Sequence, residues 1–165
     1  MFATTVGQAA GLPAIAWSPV TSPGTFDYGT VNVGQAESQT FALTNRGGSA
    51  TGALRVSLGS GAEFSITADA CTGTALGPRK SCSVTVQYAP TTAVQSTVTL
   101  AANGIRPAAS ASITLTGTGV AVAVRHIYWT NPRSFTIGRA DLDGSNPNQS
   151  FITGASGPIG VAVDR

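Results

Sequence analysis

Apolar residues in this chain recur at every second position, and no segment shows the three-and-four spacing of an amphipathic helix. Side chains of a strand point alternately to opposite faces, so such alternation predicts strands with one dry and one wet side. Leu54, Val56 and Leu58 alternate with Arg55 and Ser57. Cys82, Val84, Val86 and Tyr88 alternate with Ser83, Thr85 and Gln87. Val94, Ser96, Val98 and Leu100 form another series, and Ala109, Ala111, Ile113 and Leu115 a further one. Phe26 and Tyr28 face one way. The parity changes at Gly29 and continues at Val31 and Val33, which predicts a bulge or kink at the glycine. Phe41 and Leu43 run into Asn45-Arg46-Gly47-Gly48, a turn signal, and Phe64 with Ile66 makes a short strand. About seven short strands separated by turn residues predict an all-β, two-sheet sandwich with a single core.

The surface of such a module is unusual here, because charged residues make up only 10% of the chain, against about 25% in a typical domain. Thr, Ser, Asn and Gln take their place, and β-branched Thr suits a pleated surface. Glycine and proline, 20 and 9 residues of 165, stay below the roughly 25–30% that marks a low-complexity chain. The net charge is +2, and the basic residues stand singly apart from Arg79-Lys80. Nucleic-acid binding needs Lys and Arg clustered on one face, so no nucleic-acid partner is expected. No apolar stretch reaches the roughly 18 residues of a membrane span, so no membrane insertion is expected. The first ten residues lack the basic start and continuous apolar core of a signal peptide, so an export signal would lie upstream.

The cysteines are Cys71 and Cys82, and the one histidine is His126. These three cannot complete a four-ligand zinc site without a carboxylate. A Cys71–Cys82 disulfide is the simpler reading, the alternative being two buried free thiols. A persistent disulfide implies an oxidising compartment.

The phrases Phe26-Asp-Tyr-Gly-Thr-Val-Asn-Val-Gly34 and Gln39-Thr-Phe-Ala-Leu-Thr-Asn45 resemble the opening of ASPM/Hydin-type immunoglobulin-like domains. The same module occurs in bacterial choice-of-anchor D proteins. Phe64-Ser-Ile-Thr67, Cys71, Cys82-Ser-Val-Thr-Val-Gln-Tyr-Ala-Pro90 and Ile113-Thr-Leu-Thr-Gly-Thr-Gly119 extend the resemblance over residues 14–119. It implies a seven-stranded immunoglobulin-like sandwich used as a spacer or interaction module. Two cysteines are usual in the bacterial form. Eukaryotic relatives in cilia and centrosomes are cytoplasmic, and the cysteine pair favours the exported bacterial form, at the cell surface or outside the cell.

Composition changes after residue 119. Arg125-His-Ile-Tyr-Trp-Thr-Asn131, Thr136-Ile-Gly-Arg-Ala-Asp-Leu-Asp-Gly144 and Gly157-Pro-Ile-Gly-Val-Ala-Val-Asp-Arg165 are similar to the YWTD repeat of low-density-lipoprotein-receptor class B propellers. Asn131 stands where that repeat has Asp, which weakens any carry-over of the Asp-centred hydrogen bonds between blades. Gly119-Val-Ala-Val-Ala-Val-Arg125 also resembles Gly160-Val-Ala-Val-Asp-Arg165, a spacing of 40 that fits a propeller blade of about 40–45 residues. The expected organisation is therefore a poorly ordered segment 1–13, a sandwich 14–119 and one partial propeller-blade-like antiparallel sheet 120–165, from a longer parent. Tyr128, Trp129, Phe135 and Phe151 are either ordinary blade core or an interface, against the sandwich or another copy.

Catalytic prospects are poor. A Ser-His-Asp arrangement would have to use His126, which sits in a strand beside the Tyr-Trp pair and reads as structural. Asp141 and Asp143 are the one close acid pair, expected on one face of a strand. Asp141-Leu-Asp-Gly-Ser-Asn146 lacks the spacing and closing Glu of an EF-hand, and Asp143-Gly144 reads as a tight turn. No catalytic, cofactor or metal site is expected. The leading expectation is a non-enzymatic structural and interaction module of an exported or surface protein, with protein or glycan partners through its parent and self-association through blade edges. A cytosolic or ciliary-type scaffold and the non-catalytic part of a propeller-containing hydrolase are the alternatives.

Overall fold

The computed structural model describes residues 11–20, 23–61, 63–123 and 125–163. They form twelve strands: β1 Ile15–Ser18, β2 Thr25–Asn32, β3 Glu37–Asn45, β4 Leu54–Leu58, β5 Phe64–Asp69, β6 Ser81–Tyr88, β7 Gln95–Gly104, β8 Ala109–Val120, β9 His126–Asn131, β10 Thr136–Asp141, β11 Asn148–Thr153 and β12 Val161–Val163. The chain divides into two compact units, Met1–Ala121 and Val122–Arg165. Residue 120 still belongs to β8. The segment 1–13, expected to be poorly ordered, lies outside the described residues as far as residue 10; in the rest of it Pro13 is buried.

The first unit is a sandwich of two four-stranded sheets, ordered β1-β3-β6-β5 and β2-β8-β7-β4. The strands expected from alternation are present, and β1 adds an eighth. Its two inward residues, Ile15 and Trp17, form too short a series to show a period, yet Trp17 is fully buried and its indole N–H donates to the Ala111 carbonyl at 3.3 Å. Strand β2 pairs parallel with β8, and every other pair in the sandwich is antiparallel. The register of β2 slips between Asp27 and Thr30, where Gly29 takes φ +72° and its N–H is held by Asp27 Oδ1 at 2.9 Å. The parity change at Gly29 is thus a bulge in a strand, placed where only glycine adopts the backbone without strain.

The two sheets meet through the inward residues. Phe41, Leu43, Val84, Val86 and Tyr88 from one sheet and Val98, Leu100, Ile113 and Leu115 from the other are at most 4% exposed. Burying such a side chain contributes about 1.5–3 kcal/mol each. Aromatic rings bridge the interface: Phe26 of β2 stands edge-on to Phe41 of β3, and Tyr28 of β2 lies 5.8 Å, centroid to centroid, from both Phe64 and Tyr88, which stack on each other within their own sheet. Outward positions carry hydroxyls that satisfy one another across strands, Thr40 with Thr85 at 2.9 Å and Thr44 with Ser81 at 2.8 Å. Cross-strand hydroxyl pairs of this kind are how the sheet face dispenses with charge.

The second unit is a four-stranded antiparallel sheet, ordered β11-β10-β9-β12. Its most buried side is made by Thr136, Gly138 and Ala140 of β10. A Cβ on Gly138 would stand 2.3 Å from the Trp129 ring, so the indole lies directly on this glycine.

Gly117 of β8 plays the same part in the sandwich. A Cβ there would approach the Tyr88 ring to 2.5 Å, and Tyr88 is held against Phe64. We predict that Gly117→Ala destabilises the sandwich by about 1–3 kcal/mol through overpacking, read as a lower urea midpoint; an unchanged midpoint would show that Tyr88 has room to move.

Candidate functional site

The polar side chains that converge most strongly are in the loops of the sandwich. Asn45, at the end of β3, is fully buried. Its Oδ1 accepts from the N–H groups of Ala14 at 3.2 Å and Gly47 at 2.9 Å, and its Nδ2 donates to the carbonyls of Ser49 at 2.8 Å and Leu76 at 2.9 Å. An amide has two donors and a two-lone-pair acceptor, so this side chain is saturated. It ties the entry to β1, the 46–49 turn and the β5–β6 loop together. Thr51 completes the arrangement: its N–H donates to the Leu76 carbonyl and its Oγ1 accepts from the Leu76 N–H, both at 2.9 Å.

Glu63, just before β5, clamps the β6–β7 connection. Its Oε1 accepts from the N–H and hydroxyl of both Thr91 and Thr92 at 3.0–3.2 Å, and its Oε2 accepts from the Ser96 hydroxyl. The Ser96 bond foremost, with the Thr91 and Thr92 donors, holds the carboxyl at a pKa of about 2. Beside it the Tyr88 hydroxyl is buried next to Ser96 and Gly119 and makes no well-formed hydrogen bond among the described residues. Burial first, then the Glu63 charge, pushes its pKa up. Tyr28 crosses from β2 to the other sheet, where its hydroxyl donates to the Val86 carbonyl at 2.8 Å, and burial pushes it up to about 12.

Cys71 and Cys82 are bonded, with Cα atoms 5.2 Å apart across a separation of 11 residues. A loop of that size contributes about 3 kcal/mol in the chain-entropy model. Cys71 follows Asp69, whose Oδ1 accepts from the N–H groups of Cys71 and Thr72, while its Oδ2 accepts from the Thr72 hydroxyl at 2.5 Å.

The sequence candidates of the second unit are distributed over two faces of its sheet. Tyr128 and Phe151 come together, centroids 5.9 Å apart, with the Arg139 guanidinium 4.3 Å over the Phe151 ring. Trp129 lies over Gly138 instead, its indole N–H donating to Gln149 Oε1 at 3.0 Å, and Phe135 is exposed in the β9–β10 turn with φ +54°. Asn131 donates to Thr136 Oγ1 and the Gln149 carbonyl, inside its own sheet. His126 Nε2 lies 3.3 Å from Asp141 Oδ1. Ser145 Oγ donates to the other carboxylate oxygen, Asp141 Oδ2, at 3.3 Å. The expectation that Asp141 and Asp143 share a strand face is corrected: β10 ends at Asp141, and Asp143 lies in the turn with its Oδ1 on the Ser145 N–H. Among the described residues no three His, Cys, Asp or Glu side chains are grouped as a metal would need. The Asn45 and Glu63 networks escaped sequence reasoning, because their partners lie as many as 31 and 33 residues away and carry no local pattern.

A family model, Cep192 domain 4, matches residues 21–120. Among solved structures, the ASH/PapD-like domain 7 of human CEP192 is similar over 74% of this chain and 96% of its own, with a TM-score of 0.52 at 9% identity. The secreted serine protease VesC from Vibrio cholerae is similar over 66% of this chain and 23% of its own, with a TM-score of 0.46 at 21% identity. The VesB protease from the same organism is similar over 61% and 32%, with a TM-score of 0.47 at 22% identity. No curated protein matches the chain.

Glu63 has its pKa lowered in the fold, so its contribution is complete above its ordinary value of 4.5 and is lost as pH falls to about 2. Glu63→Gln is therefore expected to be less stable than wild type above pH 4.5, with the difference closing toward pH 2. Urea titrations at stepped pH measure this, and a pH-independent difference would assign the loss to packing.

Proposed function

The chain belongs to the Cep192 domain 4 family, and from that premise we propose that it is a non-catalytic scaffold module whose work is to hold and space other parts of an assembly. The observation that carries this reading is how the polar groups are used. Asn45, Glu63 and Asp69 direct their hydrogen bonds to the module's own loops, where an enzyme would leave convergent groups free for substrate. The pairing of β2 and β8 supports a spacing role. They are parallel neighbours, so tension applied through the N-terminal end of β2 and the C-terminal end of β8 shears all their hydrogen bonds together. In the second unit, β9 and β12 are antiparallel neighbours, so the same tension peels their bonds one after another.

A second reading places the module in an exported bacterial protein of the choice-of-anchor D type, as a surface spacer or adhesion unit. The Cys71–Cys82 disulfide favours it. In that setting residues 122–165 are a YWTD-like repeat of a propeller completed by further blades, a reading supported by the four antiparallel strands and the Gly-Val-Ala-Val recurrence. Exposed Phe151 and Ile152 on β11, an edge strand, make this edge the surface for self-association.

Force spectroscopy on the full chain, held by its ends, tests the scaffold reading. The expected trace has an early low-force extension from residues 122–165, then a separate high-force release of the sandwich. A sandwich that opens first would sink the spacing role. Alkylating the protein in its native cells before any reduction separates the two settings. Free Cys71 and Cys82 are expected for a cytosolic scaffold, and an intact disulfide for the exported module.

A further inference from the structure

The two cysteines of the disulfide differ in exposure. Cys71 is fully buried in the core, whereas Cys82 is half-buried and lines an open groove of about 470 Å³ with Ala42, Ala70, Thr74, Ser81 and Ser83. None of these side chains is charged. Exposed basic residues lie at this end: Arg79 and Lys80, immediately before β6 and the one adjacent basic pair in the chain, and Arg46, which follows the Asn45 whose backbone is hydrogen-bonded to both. The nearby carboxylate, Asp69, is engaged by the Cys71 and Thr72 donors. We propose that Cys82 is a thiol-exchange site for small anionic thiols of the glutathione class, which the Arg79-Lys80 pair draws to the groove.

The step balances without a further reactant. The thiolate sulfur attacks Cys82 Sγ, the Cys71–Cys82 bond breaks, and its electron pair leaves on Cys71, which takes a proton to become the buried thiol. The product carries the small thiol on Cys82. Attack by the Cys71 thiolate on that mixed disulfide expels the small thiol and restores the bond. Exchange stays local because the loop keeps its other anchors. Leu76 remains held by Asn45 and Thr51, Thr74 accepts from the Leu54 N–H at 3.0 Å, and the Gly73 N–H donates to the Leu54 carbonyl at 2.8 Å.

The test uses the oxidised full chain in native buffer with reduced glutathione. Aliquots are acid-quenched at short times and then alkylated under denaturing conditions. Trypsin cuts at Arg79 and Lys80, so the two cysteines appear on separate peptides. Glutathione on the Cys82 peptide with alkylated Cys71 is the expected result. Glutathione on Cys71, an even distribution, or no adduct until denaturant is added would each overturn the proposal. Steering is read from the double variant Arg79→Gln/Lys80→Gln by intact mass. Its exchange with glutathione should slow roughly threefold or more at low ionic strength, a difference that closes as salt is raised. Its exchange with uncharged 2-mercaptoethanol should match wild type. Equal slowing with both thiols would overturn the role of the basic pair.

Discussion

Each sheet of the sandwich has one face that cannot remain against water, and burying those two faces on each other is the constraint from which the rest follows. Phe26 and Tyr28 from one sheet and Phe41, Phe64 and Tyr88 from the other form a continuous aromatic contact across the interface. That contact is close enough to exclude a methyl group at Gly117. It also fixes where backbone may bulge. The slip at Gly29 keeps Phe26 and Tyr28 on the inner side before it and returns Val31, 4% exposed, to the same side after it.

A sandwich solves the problem of its sheet faces and leaves the problem of its loops. Loops that close over a core must satisfy their backbone groups without a ladder. Side chains do this here, Thr51 at the Leu76 N–H among them. Asn45 saturates itself between the entry of β1 and the β5–β6 loop, Glu63 gathers the β6–β7 connection, and Asp69 caps the turn at Cys71. The disulfide acts on the same β5–β6 loop that Asn45 and Thr51 already hold. Covalent and hydrogen-bonded restraints therefore overlap, which is why opening one sulfur–sulfur bond need not open the module.

The second sheet handles its own polar groups differently. Trp129 covers Gly138 and is anchored by Gln149, while Asn131 and Thr136 share the Gln149 carbonyl. Tyr128 and Phe151 meet elsewhere on the sheet, with the Arg139 guanidinium over the exposed Phe151 ring. The grouping of four aromatic residues as one surface, natural from their nearness in sequence, dissolves because alternate residues of β9 face opposite ways.

The sequence by itself determined the strand class, the inward residues of β3, β4, β6, β7 and β8, the bulge at Gly29 and the pairing of the two cysteines as the simpler reading. All of these depend on alternation or on residue chemistry, which are local properties. The tertiary structure decided what depends on distant neighbours. It recruited β1 through Trp17 and Ala111, made β2 a parallel partner of β8, turned an apparent turn residue, Asn45, into a buried hub, and lowered Glu63 by gathering five hydroxyl and amide donors onto it. Hydrogen bonds between residues about thirty positions apart leave no periodic trace in a chain, so only folding could reveal them.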